Sequence, residues 1–351
     1  MQKIIQNHIK RIAIALMVLG IVSCSKEDVN LNELDETIFV RHKKADMPAY
    51  IHGNAAEKVF LIILHGGPGG NGLWYRVNSI RTEIERNNAV VYFDQRGHNN
   101  AQGNYSEKEV SIDIMAEDVV ALAKVIKAKY GEGSKLFLMG HSWGGTLGPA
   151  TLLKNQDLFS GYINVAGAHD PKGLYAAYRT VLPRVANEQI ALGNTIEFWK
   201  NTLDVVQNSD ATNSLTGFSK LNIASHQGEQ KLEADNVINA PKADYGDDQP
   251  SNNLSKIRWN SAQIQDILID EQGLFQKVTF TDSLAEITIP SLVLWGKYDL
   301  VVPTVFAQEA FDNLGANEKE LFIFEKSAHS PMLNEPDLFS AKVIAFINRH
   351  K

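Results

Sequence analysis

A pentapeptide with a central serine, Gly140-His141-Ser142-Trp143-Gly144, lies between residues 135–139 (KLFLM), a predicted strand, and residues 146–154, a predicted helix. In this strand–turn–helix context the glycines of a G-x-S-x-G motif permit a tight turn that exposes the serine hydroxyl. A serine hydroxyl is a weak nucleophile by itself and needs a base that a carboxylate orients. The motif therefore predicts Ser142 as a nucleophile, served by a histidine and an acid elsewhere in the chain.

The order of residues along the chain narrows the choice of base and acid, because in sites of this type the acid and then the histidine follow the serine. The histidines after residue 171 are His226, His329 and His350. Only His329 sits in a loop just past a predicted strand; the first of the three lies in a polar helical stretch and the last is the penultimate residue. Asp299 directly ends another predicted strand, and Asp282 is the weaker candidate for the acid. We therefore predict Asp299 and His329 as the partners of Ser142.

A second glycine-rich stretch, His65-Gly66-Gly67-Pro68-Gly69, follows the apolar run 58–64. Glycines permit backbone N–H groups to point at the oxyanion that develops when a carbonyl is attacked. We predict the N–H groups of Gly67 and Trp143 as the two donors of an oxyanion hole. His65 precedes the serine in the chain, so we expect it to brace its own loop rather than to act as the base.

Apolar, β-branched runs alternate with amphipathic helical patterns along most of the chain. The runs are residues 37–40, 49–52, 58–64, 89–93, 135–139, 162–165, 291–295 and 320–324, and the main helical patterns are residues 76–86, 111–129, 146–154 and 336–349. This alternation predicts an α/β fold with a mostly parallel sheet flanked by helices. Residues 171–285 are polar and helical without strong strands, so we predict a core of residues 36–170 and 286–351 with an inserted helical lid. Asp94 and Arg96, just past the fourth run, are predicted to form a buried ion pair near the site.

Five motifs together resemble the α/β-hydrolase fold family and, within it, the proline iminopeptidase-like branch. They occur in the family's order: HGGPG at 65–69, DQRG at 94–97, GHSWGG at 140–145, WGKYD at 295–299 and SAHSP at 327–331. The resemblance implies Ser142 as nucleophile, His329 as general base and acid, and Asp299 as the residue that orients it. It further implies an aminopeptidase of proline iminopeptidase type that acts on small peptides through an acyl-enzyme. A carboxylesterase that acts on small esters is the alternative.

The resemblance also implies a lid carboxylate that helps to bind the free amine of the substrate. Members of the branch carry Trp residues followed by Glu in the lid, whereas this chain has Phe198-Trp199-Lys200-Asn201. After DQRG the chain also departs from the usual Gly-x-Ser and continues with His98-Asn99-Asn100. The lid acids that could bind an amine are Glu188, Glu197, Glu229 and Glu233, and the sequence does not single one out.

The first 23 residues are predicted to be a lipoprotein signal peptide. Three basic residues precede the short apolar run 12–22, and Ile21-Val22-Ser23-Cys24 resembles a bacterial lipobox whose cysteine is the only one in the chain. We therefore expect cleavage before Cys24, a lipid on its thiol, and residues 24–35 as a tether that holds the protein at the bacterial cell envelope, on the periplasmic or surface-exposed face of the outer membrane. An ordinary secretory signal with an incidental cysteine is the alternative.

The composition excludes several classes of protein. Of the 351 residues, 44% are hydrophobic and 21% charged, as in a soluble protein with a sizeable core. A formal net charge of −7 does not suit a nucleic-acid-binding surface. No H-E-x-x-H motif or set of cysteine ligands occurs, so we predict neither a metal nor a cofactor. The expected partners are a small peptide or ester substrate and the membrane, with no prediction of oligomeric state; a non-catalytic binding lipoprotein is the alternative from another class.

Overall fold

The computed structural model describes residues 30–210, 212–245 and 259–351. Residues Asn32–Lys351 form one compact unit. The predicted signal peptide and the predicted lipidation site Cys24 lie outside the described residues. Within the described ranges, no helix is both long enough and apolar enough to cross a membrane.

The described chain contains one sheet of nine strands with the order β1-β2-β4-β3-β6-β7-β8-β9, and β5 pairs with β2. The strands are β1 (Leu34–His42), β2 (Ala45–Gly53), β3 (Val59–Leu64), β4 (Ala89–Phe93), β5 (Gln102–Gly103), β6 (Lys135–His141), β7 (Gly161–Val165), β8 (Ser291–Gly296) and β9 (Lys319–Phe324). Neighbours from β4 to β9 in that order run parallel, whereas β2 pairs antiparallel with β1, β4 and β5. The predicted mostly parallel sheet is therefore confirmed.

Helices flank this sheet and fill the segments between its strands. The α-helices are α1 (Glu85–Asn87), α2 (Ile112–Tyr130), α3 (Gly144–Asn155), α4 (Leu174–Leu192), α5 (Ile196–Gln207), α6 (Leu215–Ala234), α7 (Ser261–Gln265), α8 (Leu274–Lys277), α9 (Val305–Asn313), α10 (Pro331–Asn334) and α11 (Pro336–His350). The 3₁₀ turns are Gly72–Tyr75, Glu107–Glu109, Gln156–Leu158, Pro171–Gly173 and Asp282–Glu286, and the π turns are Ile80–Ile84 and Asp266–Glu271. The predicted helix at 76–86 is thus broken into a π turn and the short α1, which the apolar periodicity did not indicate.

Burial on both faces explains the apolar runs of the central strands. All six residues of β3 (VFLIIL) are buried, and a central parallel strand has no solvent face that would favour polar residues. On one side, α11 packs onto the sheet through Phe339, Val343 and Phe346, which belong to the same buried cluster as Ile63 of β3. Full burial of each such side chain contributes about 1.5–3 kcal/mol, so these contacts hold the strands that carry the motifs.

Strand register brings the carboxyl ends of the strands to one edge of the sheet. Leu64, the last residue of β3, lies opposite Phe93 of β4 and Gly140 of β6. On the other side of β6, His141 lies opposite Val165 of β7. The loops that begin just after these residues therefore emerge side by side, which is where binding sites of parallel α/β sheets form.

Residues 171–285, here called the β7–β8 helical segment, connect β7 to β8. In its described part the segment contains α4 to α8 and no strand, as its polar helical sequence indicates. The role of this segment as a lid stays a prediction, and its bearing on the site comes from the side chains that it contributes.

Candidate active site

Ser142 lies on the sharp turn between β6 and α3 and has a φ of 57°. Such a left-handed conformation is uncommon for a residue with a side chain and must be held by its surroundings. Its N–H donates to the Val165 carbonyl (3.2 Å), and its carbonyl accepts from the N–H groups of Gly145 (2.8 Å) and Ala168 (2.9 Å). Ser142 is half-buried and lines a cavity, so the turn presents it at the surface where a substrate would bind.

Two glycines after the serine allow α3 to approach its neighbours closely. A Cβ atom on Gly144 would lie 2.2 Å from the Leu64 carbonyl oxygen, and one on Gly145 would lie 2.1 Å from the Gly167 Cα. Because both obstacles are backbone atoms, no side-chain rearrangement could make room. Both positions therefore require glycine, and the close contact fixes the turn that carries Ser142.

Asp299, which is buried, and His329, which is half-buried, form a hydrogen-bonded pair with 3.0 Å between His329 Nδ1 and Asp299 Oδ2. The second carboxylate oxygen of Asp299 accepts from the N–H groups of Val301 (3.0 Å) and Val302 (2.8 Å). Asp299 is 1% exposed, so these bonds rather than water satisfy it. An ionised carboxylate only accepts hydrogen bonds; Nδ1 therefore carries the proton, and Nε2 of the neutral ring is left with the lone pair that a general base needs.

The negative charges near His329 raise its pKa by more than burial lowers it. Burial alone lowers the pKa of this imidazole, but the negative Asp299 raises it by charge and by hydrogen bonding, and Glu229 adds to that effect, so the pKa lies above its usual value. The pair thus has the electrostatics of a base whose protonated form a carboxylate stabilises.

His141 and Tyr75 connect this histidine loop to the glycine-rich loop through a line of three hydrogen bonds. The Gly66 N–H donates to the Tyr75 hydroxyl (2.9 Å), the hydroxyl lies 2.6 Å from His141 Nδ1, and His141 Nε2 lies 2.8 Å from the His329 carbonyl. Since a carbonyl only accepts, Nε2 carries the ring proton and the Tyr75 O–H donates to Nδ1. Burial, with the nearby His329, lowers the pKa of His141 to about 3, so its ring stays neutral.

The glycine-rich loop between β3 and the turn at Gly72–Tyr75 lines the same cavity, from Gly66 to Gly70. Gly67 has a φ of 131°, a conformation that residues with a side chain rarely adopt. Among the hydrogen bonds between described residues, neither the Gly67 N–H nor the Trp143 N–H is used as a donor. The two predicted oxyanion donors therefore both belong to the wall of the cavity that Ser142 lines.

His65 and Gln95 brace the glycine-rich loop from behind. His65 Nδ1 lies 2.8 Å from the Gly66 carbonyl, and burial lowers the pKa of His65 to about 3. This confirms the expectation that His65 supports its own loop. Gln95, which the sequence did not single out, donates to the His65 carbonyl (3.0 Å) and accepts from the Trp143 indole (2.8 Å). It thereby ties the glycine-rich loop to the serine turn.

The predicted ion pair between Asp94 and Arg96 is wrong. The Arg96 guanidinium instead binds the buried Asp118 of α2, with Nε–Oδ2 and Nη2–Oδ1 distances of 2.7 and 2.6 Å. Asp94 accepts from the Gly72 N–H (3.0 Å) and from the Asn99 side chain (2.8 Å). The chain turns after β4, so the two side chains face different neighbours. An acid on the apolar face of the predicted helix 111–129 was the available signal for Asp118.

A cavity of about 1270 Å³ lies over Ser142 and His329. The glycine-rich loop, the serine turn and the loop of His329 form part of its wall, and side chains of the β7–β8 helical segment form much of the rest. His226, which we set aside as the base, also lines this cavity, and burial lowers its pKa. In the part of the chain that the structure describes, no three His, Cys, Asp or Glu side chains converge as a metal-ligand set.

The structure separates the acids that the sequence left equivalent. Glu188 pairs with Arg184 and Glu197 with Lys200 on exposed helix faces. Glu229 turns towards the loops of Asp299 and His329. Asp282, the second candidate for the catalytic acid, is exposed at the start of a 3₁₀ turn.

One acid in the β7–β8 helical segment was missed by the sequence reasoning. Asp270, in the π turn after α7, is the one carboxylate among the described residues that line the cavity. No pattern around it distinguishes it from other exposed acids. Only the folding of the segment over the site places it there.

Comparison with known proteins agrees with this architecture. Residues 59–336 match a family model for the alpha/beta hydrolase fold. The chain is 27% identical over 309 residues to the probable aminopeptidase YbaC of Bacillus subtilis (strain 168), covering 86% of this chain and 92% of that protein. It is 22% identical over 293 residues to a proline iminopeptidase of Heyndrickxia coagulans, covering 82% and 90%. An esterase from Exiguobacterium antarcticum superposes with a TM-score of 0.55 at 16% identity, covering 90% and 100%. The chain therefore belongs to the α/β hydrolase fold family and is an enzyme of that type.

Proposed function

We propose that this enzyme is a serine hydrolase in which Ser142 is the nucleophile, His329 the general base and acid, and Asp299 the residue that orients the histidine. The observation that carries the proposal is the Asp299–His329 hydrogen bond of 3.0 Å beside a cavity that both His329 and Ser142 line. The left-handed turn of Ser142 supports it, because that conformation presents the hydroxyl of such nucleophiles.

The proposed reaction has two halves. The Ser142 oxygen attacks the substrate carbonyl carbon while its proton passes to His329 Nε2, and the N–H groups of Gly67 and Trp143 stabilise the oxyanion. The C–N or C–O bond then breaks as His329 returns the proton to the leaving amine or alcohol. A water molecule, deprotonated by the same nitrogen, attacks the acyl-enzyme, and release of the acid regenerates the Ser142 hydroxyl.

For the substrate we propose a small peptide with a free N-terminus, cleaved by an aminopeptidase of proline iminopeptidase type. Similarity to an aminopeptidase and to a proline iminopeptidase over more than 80% of the chain supports this choice. A protonated amine needs a carboxylate in the cavity wall, and Asp270 is the candidate among the described lining residues. The β7–β8 helical segment then acts as a lid that selects the substrate.

A carboxylesterase that acts on small esters is the second candidate. The fold is shared with an esterase over 90% of the chain. Asp270 is solvent-exposed, and an exposed carboxylate discriminates weakly between charged and neutral ligands. Under this candidate the cavity accepts an acyl group without an ammonium, and Asp270 contributes little to the rate.

A single comparison separates these candidates: turnover of aminoacyl-naphthylamides against short p-nitrophenyl esters, with wild-type protein and Asp270→Asn. The aminopeptidase predicts higher kcat/KM on the amides and a raised KM in the variant for free-amine substrates alone. Labelling by a fluorophosphonate probe, absent in Ser142→Ala, establishes the serine nucleophile independently. An unlabelled wild-type protein would contradict the hydrolase proposal and favour a binding lipoprotein.

We also propose that the mature protein is anchored to the cell envelope by a lipid on Cys24. The basic start of the chain, the short apolar run and the single cysteine after Ile21-Val22-Ser23 support this location. More than one acyl chain on the cysteine would make the attachment stable, since each buried methylene contributes about 0.8 kcal/mol.

A further inference from the structure

Glu229, on α6 of the β7–β8 helical segment, bonds to the backbone of both loops that carry the Asp299–His329 pair. Its Oε1 accepts from the backbone N–H groups of Leu300 (2.8 Å) and Val301 (3.2 Å), and its Oε2 accepts from the backbone N–H of His329 (3.4 Å). Glu229 does not line the cavity in the described structure. Its carboxylate therefore faces the loops of Asp299 and His329 rather than the cavity.

The turn that Glu229 binds is the same turn that holds the Asp299 carboxylate. The Val301 N–H is shared between Asp299 Oδ1 (3.0 Å) and Glu229 Oε1 (3.2 Å). On its other side, the Val301 carbonyl accepts from the Tyr178 hydroxyl of α4 (2.7 Å), to which Asn222 of α6 donates (2.9 Å). Two helices of the segment thus bond the backbone N–H and the backbone carbonyl of one residue, Val301, two positions after Asp299.

Close packing brings α6 to this turn. A Cβ atom on Gly228 would lie 2.8 Å from Leu300 Cδ1, so the residue before Glu229 already touches the turn. The α6 backbone therefore packs closely against the Leu300 side chain. Displacement of α6 would also move Glu229 Oε1, the acceptor that Leu300 and Val301 share.

Glu229 and the Asp299–His329 pair influence each other's pKa values. Burial and the neighbouring Asp299 raise the pKa of Glu229 to about 8, while the charge of His329 and the backbone N–H groups of Leu300 and His329 oppose that rise. In return, the Glu229 charge raises the pKa of His329. Tyr178 of α4 also faces it, and its pKa is raised chiefly by burial. His226, three residues earlier on α6, is influenced instead by His329 and Asp299.

We propose that Glu229 is a positioning residue of this site: it fastens the turn that bears Asp299 to the β7–β8 helical segment and adds a negative charge beside His329 once it ionises. This inference rests on the proposed Ser142–His329–Asp299 function. It assigns to α6 a role in holding the catalytic loops as well as in enclosing the cavity.

Three variants test the proposal: Glu229→Gln, Glu229→Ala and, as a matched control, Glu233→Gln, which removes a charge from the next turn of the same helix. The measurement is the rate of fluorophosphonate labelling of Ser142 from pH 5 to 9, followed by kcat and KM with the best substrate. Glutamine keeps an oxygen for the Leu300 and Val301 donors but lacks the charge, whereas alanine lacks both.

With glutamine we expect the acid limb of the pH profile to stay in place, because Glu229, with a pKa of about 8, is largely uncharged at lower pH. We also expect an inflection near pH 8, present in the wild type, to disappear. With alanine, kcat should fall roughly 10-fold with KM little changed, since a misplaced orienting acid impairs chemistry more than binding. Glu233→Gln should match the wild type in both respects, because Glu233 does not line the cavity in the described structure.

Wild-type pH profiles in Glu229→Gln together with wild-type kcat in Glu229→Ala would overturn the proposal. If Glu229→Ala does not fold, as judged by circular dichroism, the glutamine profile decides alone. Failure of the underlying function has a different signature, because the wild-type protein itself would then not be labelled at any pH.

Discussion

Removal of one oxygen, by Tyr75→Phe, should loosen the connection between the glycine-rich loop and the histidine loop. The Tyr75 hydroxyl accepts from the Gly66 N–H (2.9 Å) and lies 2.6 Å from His141 Nδ1. The phenyl ring of the variant fills the same space, so the change is confined to these two hydrogen bonds. The two groups that lose a partner are the Gly66 N–H, which precedes the proposed donor Gly67, and Nδ1 of His141, whose Nε2 bonds to the His329 carbonyl.

The size of the effect follows from the two groups left without a partner. A buried donor or acceptor that loses its hydrogen bond costs about 1–3 kcal/mol. Tyr75 lines the cavity, so water can replace part of the loss, and the lower end of the range applies to each group. We therefore expect unfolding free energy to fall by about 2 kcal/mol and kcat to fall roughly 10-fold, because small displacements of catalytic groups are costly.

Urea denaturation and steady-state kinetics on the same preparation measure the two effects. Tyr162→Phe is the matched control, since the Tyr162 hydroxyl is buried without a hydrogen-bond partner among the described residues. Its removal should leave stability unchanged or slightly higher. Equal stability and equal kcat in Tyr75→Phe and wild type would refute the role assigned to the Tyr75–His141 line.

The remaining predictions concern the triad, the substrate and the anchor. Ser142→Ala and His329→Ala should each abolish nearly all turnover, and the double variant should be little worse, because the members act as a unit; a Ser142→Ala protein with half of the wild-type rate would end the hydrolase proposal. Asp299→Asn should cost less than Ser142→Ala but still orders of magnitude in kcat. N-Acetylation of a good aminoacyl substrate should lower kcat/KM by roughly 10²-fold, about 2.7 kcal/mol of transition-state binding, and the rate should fall as pH rises through the substrate amine's own pKa, near 8; equal rates would leave the carboxylesterase. Cys24→Ser should abolish incorporation of labelled fatty acid and release the protein from the membrane fraction or leave an uncleaved precursor, whereas a wild-type protein that takes up no fatty acid and fractionates as soluble contradicts the anchor.

Local sequence patterns were enough to predict the main strands of the sheet and the site residues that follow them at its edge. The run at 89–93 coincides with β4, and the run at 135–139 differs from β6 by two residues. Strands buried on both faces are apolar along their length, so their positions can be recognised in the sequence. Ser142, Asp299 and His329 could be proposed because each follows a strand, and the parallel sheet brings those ends together. The nearness of the loops that carry Asp299 and His329 then follows from the pairing of β8 with β9.

The supporting contacts could not be predicted, since each joins distant parts of the chain. Arg96 binds Asp118 rather than the nearby Asp94, and nothing in the alternation of strands and helices states which way a side chain faces after a turn. Glu229 reaches the Asp299 turn only because α6 packs there. Long-range packing, not local propensity, decides such contacts.

The contact between Gly145 and Gly167 restricts how this enzyme can diverge. A substitution at Gly145 would need the two backbones to separate, so libraries selected for turnover should retain glycine there and keep the serine turn unchanged. Exposed residues of α6 that line the cavity, such as Thr216 and Ser219, have no such restriction. Inherited variation in substrate preference should therefore accumulate on the helices above the site, while the chemistry below them stays constant.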